Sequence, residues 1–120
     1  MRDYKKLDVW KKTDEFYIHV KKNIIPKLPK EEKYDLVSQL SRSALSIPLN
    51  IVEGCGRYTD KDFTHFLDNS LGLTNEADYC CFAAFELNYI TEQEYNTVNK
   101  LVNEVRAMLI AFIKFLRNEK

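Results

Sequence analysis

Apolar residues recur every three or four positions along this chain, and the recurrence is interrupted only at prolines, glycines and capping residues. A first helix is predicted over 4–25, where Trp10, Tyr17 and Ile24 fall at heptad spacing and Thr13, Phe16 and Val20 fill the neighbouring row. Ile25-Pro26 closes it, because the residue before a proline avoids the helical region. Lys27-Leu28-Pro29 then forms a short connector. Pro29 opens a second helix over 30–54, with Glu31 and Glu32 at the positive end of its dipole.

In that second helix Val37, Leu40, Ala44, Ile47 and Ile51 draw one apolar stripe. Pro48 cannot donate to the Ala44 carbonyl and predicts a kink, with Ser46 or Asn50 as substitute donors. Gly54 and Gly56 mark the helix end, where glycine enters the left-handed conformation without steric penalty. Arg57 then stands beyond the C-terminus, facing the negative end of the dipole.

A third helix over 60–87 starts at a Thr59 or Asp60 N-cap, with Asp62 completing a box-like pattern. Its predicted core rows are Phe63, Ser70, Ala77, Ala84 and Phe66, Leu73, Cys80, Leu87. Gly72 lies inside it, at a cost of about 1 kcal/mol relative to alanine, and suits a place where two backbones come near each other. Asn88-Tyr89-Ile90 turns the chain. Thr91-Glu92-Gln93-Glu94 is a full capping box for a fourth helix over 92–117. There Tyr95, Val98, Val102, Val105, Leu109, Phe112 and Leu116 alternate by three and four.

No segment reads as a strand, repeat or linker. The expected architecture is all-α: one domain over 1–120, an up-down-up-down antiparallel four-helix bundle. Between Val105 and Leu116 only Arg106 and Lys114 are polar, so Ile110, Ala111 and Ile113 widen the fourth helix's stripe almost to its full circumference. Tyr79 to Leu87 is similarly apolar apart from Glu86. Excess apolar surface of this kind predicts a homo-oligomer.

Charge changes the picture less than its distribution does. Lys+Arg 18 balance Asp+Glu 18, which argues against a surface that is wholly a nucleic-acid footprint. Residues 1–33 nevertheless carry +4, residues 58–95 carry −7 and residues 96–120 carry +3. That dipolar arrangement suits head-to-tail subunit packing as well as RNA binding. The candidate phosphate contacts are Lys11, Lys12, Lys21, Lys22, Arg106 and Arg117; a solvated face is the plainer reading of the lysines. Cys55, Cys80 and Cys81 are odd in number and lack a partner motif, and no signal-peptide pattern precedes Lys5-Lys6. Free thiols in a reducing cytoplasm are expected, and no apolar run reaches the roughly 18 residues that span a bilayer.

Catalytic and metal chemistry find little support. Gly-Cys-Gly has no preceding strand and no following Lys-Ser/Thr, so it is not a phosphate loop. His65, Asp68 and Glu76 lack the repeated Glu-x-x-His of carboxylate–histidine bundles. No nucleophile has a recognisable base, and the expectation is a protein that is not an enzyme, with no cofactor and no metal. Glu53 is read as one half of an ion pair with Arg42 or Arg57.

The run Gln39-Leu40-x-Arg42, Ile47-Pro48-x-Asn50-Ile51-x-Glu53-Gly54-x-Gly56-Arg57 resembles the signature of bacterial 23S rRNA-intervening sequence proteins, a four-helix bundle family related to the accessory protein of diversity-generating retroelements. Leu7, Trp10, Phe63 to Leu67, Gly72 and Glu76 extend the resemblance over nearly the whole chain. Leu71, Leu73 and the acidic start of the third helix depart from the family pattern. The resemblance implies a ring of five subunits, a motif of Gln39, Arg42, Asn50, Glu53, Gly54, Gly56 and Arg57 used in assembly or binding, and structured RNA or DNA as partner. A protein-binding scaffold without a nucleic-acid role is the alternative.

Overall fold

In the computed structural model, which describes residues 2–118, the Asp3 carboxylate accepts from the Lys5 N–H and starts a single 3-10 turn, Tyr4–Lys6. Leu7 is extended, with φ −85 and ψ 123, so the first helix α1 is Asp8–His19 and does not begin at residue 4. The chain then widens into a π-helical segment, Val20–Ile24. It tightens to 3-10 over Ile25–Lys27, around a proline that has no N–H to continue the ladder.

The second helix also starts later than the sequence pattern implies. Pro29 leads into one 3-10 turn, Lys30–Glu32, and Asp35 leaves helical geometry at φ −115, ψ −99 before α2, Leu36–Cys55. Helix α3 is Asp60–Glu86, capped by Thr59, whose hydroxyl accepts from the Asp62 N–H. Asn88 turns the chain at φ 64, a left-handed conformation that asparagine tolerates. Helix α4, Glu92–Leu116, opens with the complete capping box between Thr91 and Glu94. That hydrogen bond from the Thr91 N–H, helped by Lys27, holds the Glu94 carboxyl below its ordinary range.

Cross-links define an antiparallel, up-down-up-down four-helix bundle. Lys12 reaches Glu104, and Lys27 reaches Glu94, between the two ends of the α1 and α4 strings. Arg106 meets Asp78 while Arg117 meets Asp68, which runs α4 against α3. The Ser70 hydroxyl donates to the Ile47 carbonyl at 2.8 Å, fixing the register of α3 on α2. Among the described residues there is no strand.

The α2 stripe is the core: Leu40, Ala44, Ile47 and Ile51 are fully buried. The buried row is Val9, Thr13 and Phe16 in α1, continued by Val20 and Ile24 in the π-helical segment, and Trp10 and Tyr17 sit half-buried beside it. In α3 Phe63, Ser70, Ala77 and Ala84 are buried, but the second row is Leu67, Thr74 and Cys81. Of the expected second row Cys80 is buried, Phe66 and Leu73 are half-buried, and Leu87 is 52% exposed. In α4 Val98, Val102, Val105, Leu109 and Ile113 are core. Ile113 therefore does not widen the surface stripe, whereas Ile110, Ala111 and Phe115 do face solvent.

All three cysteines are free and buried. Burial raises each thiol's pKa, that of Cys81 to about 12. Among the described residues no helix is long and apolar enough to cross a membrane.

Candidate functional site

Helix geometry gathers the motif on one flank of α2. Gln39, Arg42, Ser46, Asn50, Glu53 and Arg57 step by three and four, and the stripe they draw lies beside the core stripe. The flank ends where α2 meets the start of α3, and there the contacts are close. A Cβ on Gly54 would lie 2.6 Å from Phe63 Cδ1 and 3.0 Å from Phe66 Cβ. Gly54 is thus a packing requirement, buried against α3. Gly56 caps α2 at φ −82, ψ −1, and no glycine among the described residues has positive φ. The left-handed stop expected at this glycine pair is absent. The chain instead leaves α2 through right-handed geometry, with the Gly56 N–H donating to the Glu53 carbonyl at 3.1 Å.

Two guanidinium groups cover the junction. Arg57 stands 4.7 Å over the Phe66 ring, and Arg2 stands 4.7 Å over Phe63 while pairing with Asp60 at 2.8 Å. The Arg2 N–H also donates to the Cys55 carbonyl at 3.0 Å, closing the C-terminal end of α2. Sequence reasoning placed Phe63 and Phe66 in core rows but missed Arg2 and the stacking of the two guanidinium groups on these rings. The available signal was Phe63 and Phe66 spaced by three immediately after Gly54-x-Gly56-Arg57.

The other motif residues divide. Asn50 Nδ2 donates to the Ser46 carbonyl at 2.9 Å, one helical turn back, and does not reach the Ala44 carbonyl freed by Pro48. Gln39, Arg42 and Glu53 are exposed. Among the described residues, neither Arg42 nor Glu53 takes part in an ion pair, so the pairing expected for Glu53 is not formed. Arg42 stands eleven residues away, about 16 Å along the axis, and Arg57 is turned onto Phe66.

Most of the candidate phosphate contacts are engaged by partners within the fold. Lys11 lies 3.8 Å from Asp8, and Lys12 is shared between Glu15 and Glu104. Arg106 is held by Asp78, Asn75 and Asn103, and Arg117 by Asp68. Lys21 and Lys22 alone of the six are exposed with no carboxylate partner among the described residues. Asp68 is committed to Arg117, and the described residues contain no group of three or more His, Cys, Asp or Glu placed to hold a metal ion. No second backbone approaches Gly72 within the chain, because a Cβ there would meet nothing within 4 Å.

The family model for 23S rRNA-intervening sequence proteins matches residues 5–111, and this span includes the whole α2 motif and its α3 junction. The chain belongs to that family. A crystal structure of a protein of unknown function from the S23 ribosomal protein family of Bacteroides thetaiotaomicron has the same bundle, with a TM-score of 0.80 and 31% identity. The similarity covers 88% of this chain and 98% of that one. No curated protein matches the chain. Within the family bundle, then, Gly54, Phe63 and Phe66 build the α2–α3 junction, and Arg42 and Glu53 remain open to solvent.

Proposed function

We propose that this family member is a non-enzymatic helical scaffold that self-associates and docks protein partners through its helix faces. The observation behind this reading is that every helix keeps large apolar side chains outside an already filled core. Ile18, Leu45, Leu49, Tyr79, Phe82, Ile110 and Phe115 are all exposed, Phe115 by 74%. Apolar surface on this scale favours protein interfaces. The pairing of Lys11, Lys12, Arg106 and Arg117 with carboxylates of their own fold favours the same reading, since a phosphate would have to displace those partners. The number of subunits, five by family resemblance, belongs to this proposal.

Binding of structured RNA or DNA is the second reading, supported by exposed Lys21 and Lys22 and by the family's link to intervening sequences of rRNA genes. Sedimentation velocity with light-scattering mass separates the two. The protein is run alone and with a labelled hairpin RNA, at about 50 and about 200 mM salt. A discrete oligomer that leaves the RNA unshifted at both salts supports the scaffold. An RNA shift at low salt that is lost at high salt moves the assignment to nucleic-acid binding, because phosphate contacts weaken steeply with salt. A monomer at every concentration refutes self-association.

A further inference from the structure

Two exposed faces of the bundle are opposites of one another. The first is an open groove of about 420 Å3 between the start of α2 and the second half of α3. Leu36, Tyr79 and Leu87 give it apolar walls, and Glu32, Asp35 and Glu76 line it with carboxylates. Tyr79 is 67% exposed and Leu87 52%. The Tyr89 hydroxyl donates to Glu32, but Asp35 and Glu76 have no ion-pair partner among the described residues. No lysine or arginine stands between Glu76 and Leu87. The second face is the outside of α4. From Lys100 to Phe115 its exposed side chains are lysine, asparagine or apolar, and the single carboxylate of that span, Glu104, is drawn to Lys12. Ile110 and Lys114 lie one turn apart with Phe115 beside them, and Lys100 and Lys114 have no ion-pair partner among the described residues.

We infer that the tip of α4 in one copy docks into the groove of the next, head to tail. The inference rests on the self-association reading and adds to it the two surfaces that meet. Ile110 and Phe115 supply apolar side chains for the groove, and Lys114 meets Asp35 and Glu76. Charge complementarity decides the occupant. A chain with no net charge carries both an acidic face lacking cations and a basic face lacking free carboxylates, and a second copy satisfies the two together. A nucleic acid would meet the α4 lysines and leave the groove unfilled. The faces also lie apart on the bundle. Helix α4 packs on α1 and α3, so its outer face looks away from α2, and the Arg117–Asp68 pair sets the α4 tip beside the first half of α3. The contact is therefore heterologous, tip to groove. Such a junction repeats with a constant turn and closes into a ring, which accommodates an odd number of subunits.

The test uses one variant blocked at each face. Lys114→Glu with Phe115→Ser blocks the tip, and Tyr79→Ser with Leu87→Ser blocks the groove. All four positions are exposed, so far-UV circular dichroism spectra of both variants should match the parent. Each variant alone should lose the parent's mass, its dissociation constant by sedimentation equilibrium rising about tenfold or more. Mixed in equal amounts, the two should form a complex of one copy each and nothing larger, because only one native tip–groove pair then exists. A two-fold interface gives no such rescue. In a separate series, Lys114→Glu alone should weaken association, and adding Glu76→Lys to the same chain should recover it. If both blocked variants keep the parent's mass while the parent is oligomeric, self-association stands and these faces are not its interface. If the mixture gives no one-to-one complex and Glu76→Lys does not rescue Lys114→Glu, the two faces do not meet and the inference falls. A monomeric parent removes both readings. Loss of a hairpin-RNA shift in Lys114→Glu with no change in mass would make the α4 face a nucleic-acid contact and overturn the inference.

Discussion

Gly54→Ala and Gly72→Ala are the same substitution in the same class of element, and the structure predicts opposite signs for them. In a helix interior alanine gains about 1 kcal/mol over glycine by propensity alone, and at Gly54, one residue before the end of α2, that figure is an upper bound. At Gly72 a Cβ meets nothing within 4 Å, so that gain should appear undiminished in the folded chain. At Gly54 the new Cβ would fall 2.6 Å from Phe63 Cδ1 and 3.0 Å from Phe66 Cβ. The Phe63 ring cannot swing aside, because it is fully buried, packs edge-on against Phe112 at 5.7 Å and lies under Arg2. Phe66 Cβ is fixed to the α3 backbone, so relief at that contact means moving α3. Overpacking of this kind costs typically 1–3 kcal/mol, and with no soft neighbour the upper half of that range applies. Subtracting the propensity gain leaves Gly54→Ala destabilised by roughly 1–2 kcal/mol, about 4–8 °C in melting temperature for a chain of this size. Urea unfolding followed by circular dichroism reads both variants, at one fixed protomer concentration because assembly shifts apparent stability. A Gly54→Ala chain as stable as the parent would refute the packing argument. A Gly72→Ala chain with no gain would refute the claim that its Cβ position is open.

Three further outcomes test other parts of the reading. Leu109→Asp places an unpaired charge in a fully buried position and should cost about 4 kcal/mol or more, seen as loss of the cooperative melt; an unchanged melting temperature would discard the α4 core register. Arg57→Ala removes an exposed guanidinium from the Phe66 face and should lower stability by less than about 1 kcal/mol while weakening assembly or binding; collapse of the fold would contradict its position outside α2. The buried thiols should resist Ellman's reagent in the native protein and react fully on denaturation. Their raised native pKa values mean that the folded state holds protons the unfolded chain releases, so their contribution to stability is full below about pH 8.5 and declines as pH rises toward 12. A flat urea midpoint between pH 9 and 11 would contradict that.

The number and type of helices, the bundle and most of the core were legible because they rest on local periodicity. Leu40, Ala44, Ile47 and Ile51 are buried as their spacing implies, and the capping box at Thr91 forms in full. The misplacements have local causes of another kind. Helix starts at residues 4 and 30 were read from pattern continuity, but Leu7 and Asp35 leave helical geometry. Periodicity does not register a single residue's backbone angles. The α3 row Phe66, Leu73, Cys80, Leu87, of which Cys80 is buried, has the same spacing as the more fully buried row Leu67, Thr74, Cys81 one step around the helix. Spacing alone does not tell which of two such rows the neighbouring helices cover more deeply.

The same limit applies at the motif, and it explains why polar residues at even spacing came out with unlike roles. From Gln39 to Arg57 the spacing places the polar side chains on a shared flank, and that much needs no partner helix. What each then does depends on what stands opposite. Gly54 is required because Phe63 and Phe66 arrive at the first turn of α3, and Arg57 is drawn over Phe66 rather than toward Glu53 four residues before it. Arg42 and Glu53 face no helix of their own chain, so within one protomer nothing accounts for their position between two exposed leucines. A charged pair left open in a bundle that cross-links its neighbouring helices by ion pairs points to a surface completed by another molecule.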